Sequence, residues 1–239
     1  MARIGYARVS TRAQNDDSQI DELTAAGCER IFTDPGVSGK LAKRPQLDAC
    51  LEYLRPGDVL VLTKPIGTGT LFAAHPLLKA RGRWIDAALV SMCQSNRLGA
   101  QCLREHGATA CTDLTGFGLL GHLVEMTKPS GVDAELDLAA LPILEGAEET
   151  SAAGILSSLQ PANVRLRRAL RNQQEALRHP RYALIFDPQT AGGLLASVPQ
   201  ARAEACLEAL RALGYAQAAA IGRVLPQGDA LEPIVLKLG

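Results

Sequence analysis

The sequence has no apolar run that approaches the ~20 residues needed to cross a bilayer, and its first residues, MARIGYARVST, have no apolar signal core. Its six cysteines are scattered and form no C-x-x-C pair, which argues against a disulfide scaffold and against a zinc site. We therefore expect a cytoplasmic protein with buried, reduced thiols and no membrane partner. The cysteines are Cys28, Cys50, Cys93, Cys102, Cys111 and Cys206.

The chain also has no net charge and few aromatic residues. Lys and Arg number 25, Asp and Glu number 25, and aromatic residues make up 4% of the chain. A balanced charge supplies no general attraction to nucleic acid, so it argues against a DNA-binding protein. What remains is an ordinary globular composition, 47% hydrophobic and 21% charged, and 239 residues suffice for one large domain or two small ones.

The N-terminal quarter alternates strand and helix patterns. RIGYARVST and ERIFTD predict strands, SQIDELTAAGC predicts a helix that ends at Gly27, and RPQLDACLEYLRPGD predicts a second helix. DVLVL is nearly all apolar, which is typical of a buried parallel strand. The order predicts a βαβαβ unit with right-handed crossovers.

After Lys64 the pattern changes. We expect an Ala- and Leu-rich helical region interrupted near Gly82, a strand at ATACTD, a helix with a Gly-rich start at LTGFG, a strand at DAELDL and a helix at PANVRLRRALRNQQEALRHP. YALIFDPQTAGGLLASVP predicts a strand, a glycine turn and a short helix. ARAEACLEALRALG predicts a helix and AAAIGRVL a closing strand. The fold class is α/β and α+β, with a boundary between Asp58 and Gly69.

Ser10 ends the first predicted strand two residues after Arg8. By spacing alone it is either a nucleophile or a turn residue. The longer string GYARVST, Gln14, Gln19, L-x-x-AGC, IFTD, RP-x-L and LRPGDVLV resembles the catalytic domain of serine recombinases, the resolvase/invertase family. The resemblance implies that Ser10 attacks a DNA phosphodiester and that Arg8 and Arg44 stabilise its charge. It also implies that Asp58–Lys64 pairs with the strand at Ile4–Ala7.

The sequence departs from that family after Lys64. The family's arginine-bearing segment should follow there, but the chain reads PIGTG instead. We recognise neither the long dimerisation helix nor the DNA-binding helix-turn-helix further on. Residues 1–63 are therefore interpreted as a truncated recombinase domain with an incomplete phosphate pocket, and DNA is an unfavoured partner.

LTKPIGTG, TDLTGFGLLGH, AELDLAALP and DPQTAGGLL resemble selenophosphate synthetases, the selenide, water dikinases. The resemblance implies that residues 64–239 form the C-terminal α/β domain of the selenophosphate synthetase/aminoimidazole ribonucleotide synthetase type. ATP, Mg²⁺ and selenide are the cofactors and partners that it implies, and the activity is ATP-dependent phosphorylation of selenide.

Asp113 stands where a predicted strand meets the Gly-rich helix start. A carboxylate there suits Mg²⁺ beside phosphates, and Gly116 and Gly118 let the backbone approach a ligand. The alternative from spacing is that Asp113 or Thr112 caps the helix. The resemblance implies that Asp113 is a metal ligand.

DPQTAGGLL has two interpretations. It presents backbone N–H groups to a phosphate at a helix start, or Gly192 and Gly193 only permit tight packing. From the resemblance we assign to the ATP site Thr112, Thr115, Gly116, Gln189 and Thr190. An anion site is expected at helix starts near Leu114 and Thr190.

The family's own N-terminal domain holds the reactive Cys or selenocysteine and further metal-binding aspartates. Here the recombinase-like segment precedes LTKPIGTG, so a chimera with two incomplete sites is the leading interpretation. Three hypotheses stay open: a phosphotransferase completed by a partner, a recombinase-related DNA-acting protein, and a catalytically silent remnant that folds or forms a homodimer.

Overall fold

The computed structural model describes residues 3–9, 17–35 and 53–239. The chain divides into two compact units, Met1–Tyr53 and Leu54–Gly239. In the first, β1 (Arg3–Val9) and β2 (Cys28–Pro35) pair in parallel and α1 (Asp17–Ala25) connects them. This confirms the predicted strand, helix and strand. The helix ends before Gly27, whose φ of 75° suits glycine.

The second unit begins with β3 (Val59–Leu62) and then forms three helices and a strand, followed by a longer helix and another strand. These elements are α2 (Thr68–Ala74), α3 (Gly82–Cys93), α4 (Arg97–Glu105), β4 (Ala110–Asp113), α5 (Gly118–Ser130) and β5 (Val132–Asp137). The helical region and both strands agree with the sequence patterns.

The remainder of the second unit consists of short helical turns, then β6, a long helix and two strands. They are α6 (Ala147–Ala152), α7 (Gln160–Asn163), a 3₁₀ turn (Val164–Ala169), α8 (Gln173–Ala176), a 3₁₀ turn (Ala183–Phe186), β6 (Leu194–Val198), α9 (Gln200–Ala212), β7 (Ala219–Pro226) and β8 (Ile234–Lys237). The predicted order in YALIFDPQTAGGLLASVP is therefore wrong, since the 3₁₀ turn comes first and the strand last.

The second unit contains a mixed six-stranded sheet in the order β4-β6-β3-β7-β5-β8. Its pairings are antiparallel except for β5 with β8. β3 lies between β6 and β7, and both partners run antiparallel to it. The prediction that this segment is a parallel strand paired with Ile4–Ala7 is therefore wrong, because both edges of β3 are occupied within the second unit.

The apolar run in β3 reflects burial on both faces of the sheet. Leu60 and Leu62 pack into the larger core cluster, while Val61 packs into a smaller one with residues of α4 and α9. Continuous apolar strands are typical of parallel sheets because helices cover both faces. Here helices also cover both faces, but the sheet at this point is antiparallel.

In the part of the chain that the structure describes, none of the helices combines the length and apolar character that crossing a membrane requires. α9 instead buries one face, whereas α5 is buried around most of its circumference. In α9, Ala203, Cys206, Leu207 and Leu210 are buried at helical spacing, and the intervening positions carry its charged residues.

Candidate functional site

Three of the five predicted ATP-site residues line one cleft of about 440 Å³. Gly116, Gln189 and Thr190 reach it from two loops, and Thr68 and Gly69 reach it from the start of α2. Segments that are far apart in sequence thus share one surface. Thr112 and Asp113 lie in β4, and Thr115 is the residue before Gly116.

Gln189 binds the start of α2 with its own side chain. Its Oε1 accepts hydrogen bonds from the Gly67 N–H at 3.0 Å, the Thr68 N–H at 3.2 Å and the Thr68 hydroxyl at 3.1 Å. The Thr190 N–H in turn donates to the Thr68 Oγ1 at 3.0 Å. These N–H groups are therefore satisfied by the protein, which leaves them unavailable to a phosphate.

The expected anion sites at helix starts are not formed as predicted. Thr190 leads through a loop into β6, so no helix starts there. α5 starts at Gly118 and not near Leu114, and its N-cap residue, Phe117, makes no side-chain cap hydrogen bond. The alternative interpretation, in which Thr112 or Asp113 caps this helix, is therefore wrong.

Gly192 and Gly193 permit close packing between backbones. A Cβ on Gly192 would lie 2.5 Å from the Leu114 carbonyl oxygen, and one on Gly193 would lie 2.6 Å from the Lys64 amide nitrogen. Real Cβ atoms do not approach so closely, which favours the packing interpretation of this glycine pair.

The turn before α5 is held by two buried side chains. The Thr115 N–H donates to the His122 Nε2 at 3.1 Å, so the imidazole carries its proton on Nδ1, 3.5 Å from the Glu125 carboxylate. Asn163 Nδ2 donates to the carbonyl oxygens of Gly116 at 2.7 Å and Phe186 at 3.0 Å. These contacts fix the loop that follows Asp113.

Asp113 ends β4 with an exposed side chain. Among the described residues its carboxylate takes part in no hydrogen bond, ion pair or group of three metal-ligating side chains. One carboxylate leaves Mg²⁺ largely hydrated, so these residues alone do not make a magnesium site. Asp113 fits the ion only as one ligand among several.

Asp187 is a buried carboxyl beside the cleft. Its side chain is fully buried, Oδ2 accepts from the Gly69 N–H and from Gln189 Nε2, each at 3.0 Å, and Oδ1 is without a partner among the described residues. Burial raises the pKa of this carboxyl to about 7, although the bonds from Gln189, Gly69 and Thr70 oppose the rise. Asp187 is the first residue of the DPQTAGGLL motif, but no role was predicted for it from the sequence.

Lys64 supports the same loop from the other side. It is 2% exposed, and its Nζ donates to the carbonyl oxygens of Ser91 at 3.1 Å, Gln94 at 3.0 Å and Ala191 at 2.8 Å. Burial lowers the pKa of its ammonium group. The lysine of LTKPIGTG therefore ties the end of α3 to the loop before β6 and is not available to bind phosphate.

Gln189→Ala is expected to lower the free energy of unfolding by roughly 2–4 kcal/mol, because three buried donors at the start of α2 lose their acceptor. Urea unfolding followed by the fluorescence of Trp84, the chain's single tryptophan, would measure the loss. Gln217→Ala, at an exposed position, is the matched control and should stay within about 0.5 kcal/mol of wild type. Equal stabilities of the two variants would contradict the assigned network.

The recombinase-type residues cannot be placed in a site. Ser10 and Arg44 lie outside the described residues. Arg8 lies in β1, in register with Asp34 of β2. Their proposed roles in phosphodiester chemistry therefore stay predictions.

Two family models match the chain. The model for "AIR synthase related protein, C-terminal domain" matches residues 55–231, and the model for "Resolvase, N terminal domain" matches residues 3–68. The two matches overlap over residues 55–68, a range that includes β3 and the start of α2.

Curated relatives are selenide, water dikinases. The chain is 37% identical over 178 residues to selenide, water dikinase 2 of Peptoclostridium acidaminophilum, covering 73% of this chain and 50% of that protein. It is 42% identical over 179 residues to the enzyme of Desulfitobacterium hafniense, covering 73% and 51%. The chain spans about half the length of the curated relatives it matches.

Solved structures show the same fold. The hydrogenase maturation protein HypE aligns with a TM-score of 0.57 at 20% identity, over 98% of this chain and 72% of that chain. HypE of E. coli aligns with a TM-score of 0.55 at 19% identity, over 99% and 73%. Through residues 55–231 the chain belongs to the AIR synthase related family, with selenide, water dikinases as its homologues.

Proposed function

We propose that residues 64–239 are the C-terminal half of a selenophosphate-forming catalytic unit, and that these 239 residues alone do not phosphorylate selenide. The observation that carries the proposal is the exposed carboxylate of Asp113 at the end of β4, which has no partner in the described part of the chain. Such a carboxylate suits a Mg²⁺ ion whose remaining ligands come from elsewhere. The homology to selenide, water dikinases supplies the substrate class.

In this proposal, residues 64–239 hold the metal-binding carboxylate of Asp113 beside a loop that buried side chains fix in place. His122 and Asn163 hold Thr115 and Gly116, and so fix the turn that follows Asp113. When bound, Mg²⁺ would screen the charge of the ATP phosphates during phosphoryl transfer. Asp113 would contribute one oxygen, and the loop would keep that oxygen in place.

In this proposal, ATP binding requires a second protein domain that covers the cleft. In the cleft, the N–H groups of Gly67, Thr68 and Gly69 already donate to Gln189 and Asp187. Phosphate binding generally uses free N–H groups at such turns. We infer that Gly116, Gln189 and Thr190 contact the nucleotide only when a complementary domain covers the cleft.

The chain alone is expected to bind ATP–Mg²⁺ weakly or not at all, and to release no AMP when selenide is added. Adding a separately produced N-terminal domain of the Desulfitobacterium hafniense enzyme should give selenide-dependent AMP release. Asp113→Ala should abolish that release, whereas Asp86→Ala, at an exposed position on α3, should not. Calorimetry and AMP assays would measure both effects.

Two results would overturn this assignment. AMP release by the chain alone would mean that its residues complete the site. Micromolar ATP binding by the chain alone that disappears in Asp113→Ala would mean the same. Failure of the added domain to restore AMP release would favour the catalytically silent remnant.

The domain arrangement supports a fusion within β3. Residues 1–63 are proposed as the truncated recombinase domain, and the two family matches overlap at this strand. Both edges of β3 pair with strands of the second unit. A strand pattern of the form GDVL followed by an apolar residue is common to both ancestries, so the joined chain can keep a β-strand there.

Ser10 is expected to form no covalent adduct with recombination-site DNA. PIGTG replaces the arginine-bearing segment after Lys64, and Lys64 itself is buried against three carbonyl groups. Several arginines act together in stabilising a phosphoryl transition state, so a partial set is expected to fail. A denaturing gel with labelled DNA would test this, and an adduct that is lost in Ser10→Ala would revive the recombinase hypothesis.

A further inference from the structure

Two cysteines and a histidine converge between α4 and α9. Cys102 lies in α4, His106 follows the end of that helix, and Cys206 lies in α9. One ligand atom from each residue lies within 4.8 Å of the other two. The Cys102 Sγ is 3.7 Å from the His106 Nδ1. A separation of 104 residues between the two cysteines concealed this grouping from the sequence.

The fold positions these three side chains independently of the candidate nucleotide site. Residues four apart on a helix share a face, which places Cys102 beside His106. The His106 Nδ1 lies 2.9 Å from the Cys102 carbonyl oxygen at the helix end. A cation bound through Nδ1 would replace this contact, because a nitrogen that donates a proton cannot also be a metal ligand. The Cys102 thiol points at the Cys206 carbonyl oxygen, 3.9 Å away, across the contact between α4 and α9.

The surroundings favour a neutral metal complex. Cys102 is 3% exposed and Cys206 is fully buried, in a cluster with Leu103, Leu207 and Leu210. Binding of a cation must displace the protons of the two thiols. Two thiolates and one divalent cation sum to zero charge, and a neutral unit is the kind that an apolar cluster tolerates.

We propose that Cys102, His106 and Cys206 bind one soft divalent cation of the Zn²⁺ class. Zn²⁺ prefers thiolate and imidazole ligands, and three protein ligands leave a fourth position for water or an added small molecule. His106 is only half-buried, so the cluster can be reached from the side of this residue. The site involves none of the residues proposed for selenide phosphorylation.

The test is a metal titration of the untagged full chain, prepared metal-free and reduced. Cd²⁺ is the probe, since its thiolate complexes give a charge-transfer absorption, and Zn²⁺ is the competitor. We expect one equivalent of Cd²⁺ per chain, displaced by Zn²⁺. Cys206→Ser should lose the band. His106→Ala should weaken binding by more than the ~10–100-fold that loss of an outer-shell partner produces.

Cys93→Ser is the matched control, because Cys93 is exposed and lies outside the cluster. It should bind Cd²⁺ as wild type does. Circular dichroism would check that Cys206→Ser and His106→Ala fold. If Cys206→Ser fails to fold, His106→Ala still tests the proposal, because it removes a side chain that is only half-buried. Three results would each overturn the proposal. They are the absence of the charge-transfer band in wild type, a Cd²⁺ affinity of His106→Ala equal to that of wild type, and loss of the band in Cys93→Ser.

Discussion

Between pH 4 and pH 8, the wild-type chain is expected to lose roughly 4 kcal/mol more unfolding free energy than the variant Asp187→Asn. The cause is the buried carboxyl of Asp187, whose pKa burial raises from the ordinary 3.8 to about 7. An asparagine can still accept from the Gly69 N–H and Gln189 Nε2 at the Oδ2 position, and it does not ionise.

The direction follows from proton binding. Between pH 4 and pH 7 the folded chain keeps a proton on Asp187 that the unfolded chain has released. Stability from this group is therefore full below the unfolded pKa and is lost as the pH rises through about 7. A pH-independent cost of the new amide group does not affect this result, because the unfolding free energy of each chain is compared with its own value at another pH.

Urea unfolding at several pH values, followed by Trp84 fluorescence, would measure the difference in the second unit. Asp137→Asn is an informative contrast. Burial would raise the pKa of Asp137, but hydrogen bonds from Lys237, Ala140 and Ala139 lower it overall. Its contribution is present at high pH and lost as the pH falls, so the variant's curve should deviate in the opposite sense. Parallel curves for Asp187→Asn and wild type would contradict the assigned ionisation.

Most helices and single strands were predictable because their signals are local. The helix predicted over PANVRLRRALRNQQEALRHP is wrong, because this segment forms α7, a 3₁₀ turn and α8 and is extended at Leu170 between them. The spacing of buried residues in α9 predicts the helix without knowledge of its partners. The pairing of β3 was not predictable from its own residues, since burial on both faces has the same apolar pattern in parallel and antiparallel sheets. The segment ALIF forms a 3₁₀ turn at Ala183–Phe186 although its composition favours a strand, because tertiary packing outweighs local propensity.

The candidate site was predictable only where a motif carried it. Gly116, Gln189 and Thr190 were found through their motifs and do line one cleft. Asn163 was missed as a functional residue because its partners Gly116 and Phe186 lie far away in the chain and leave no spacing pattern. Asp187 was missed although it opens the DPQTAGGLL motif, because the motif does not show that its carboxyl is buried against the distant Gly69 N–H. A partial signal did exist for the Cys102, His106 and Cys206 cluster, because Cys102 and His106 are four residues apart at the end of α4, but Cys206 becomes a neighbour only in the folded chain.

Gly69→Ala is expected to lower the free energy of unfolding by roughly 3 kcal/mol. Its new Cβ would lie 2.5 Å from the Asp187 Oδ1 and 2.6 Å from the Pro188 carbonyl oxygen. One obstacle is a fully buried side chain and the other is backbone, so neither moves cheaply. This contact joins PIGTG to DPQTAGG and explains in packing terms why the first motif has a glycine at this position.

Whether Gly69→Ala lowers or raises the free energy of unfolding shows whether the close contact or the helix propensity of alanine dominates at this position. In the first turn of α2, alanine would otherwise favour the helix by up to about 1 kcal/mol. Gly82→Ala, at the start of α3 with no atom within 4 Å of its new Cβ, is the matched control and should be neutral or slightly stabilising. In an Asp187→Ala background the penalty of Gly69→Ala should shrink, because one of the two obstacles is gone. A penalty that is unchanged in that background would mean that Pro188 alone opposes the methyl group, and a stabilised Gly69→Ala chain would refute the close contact.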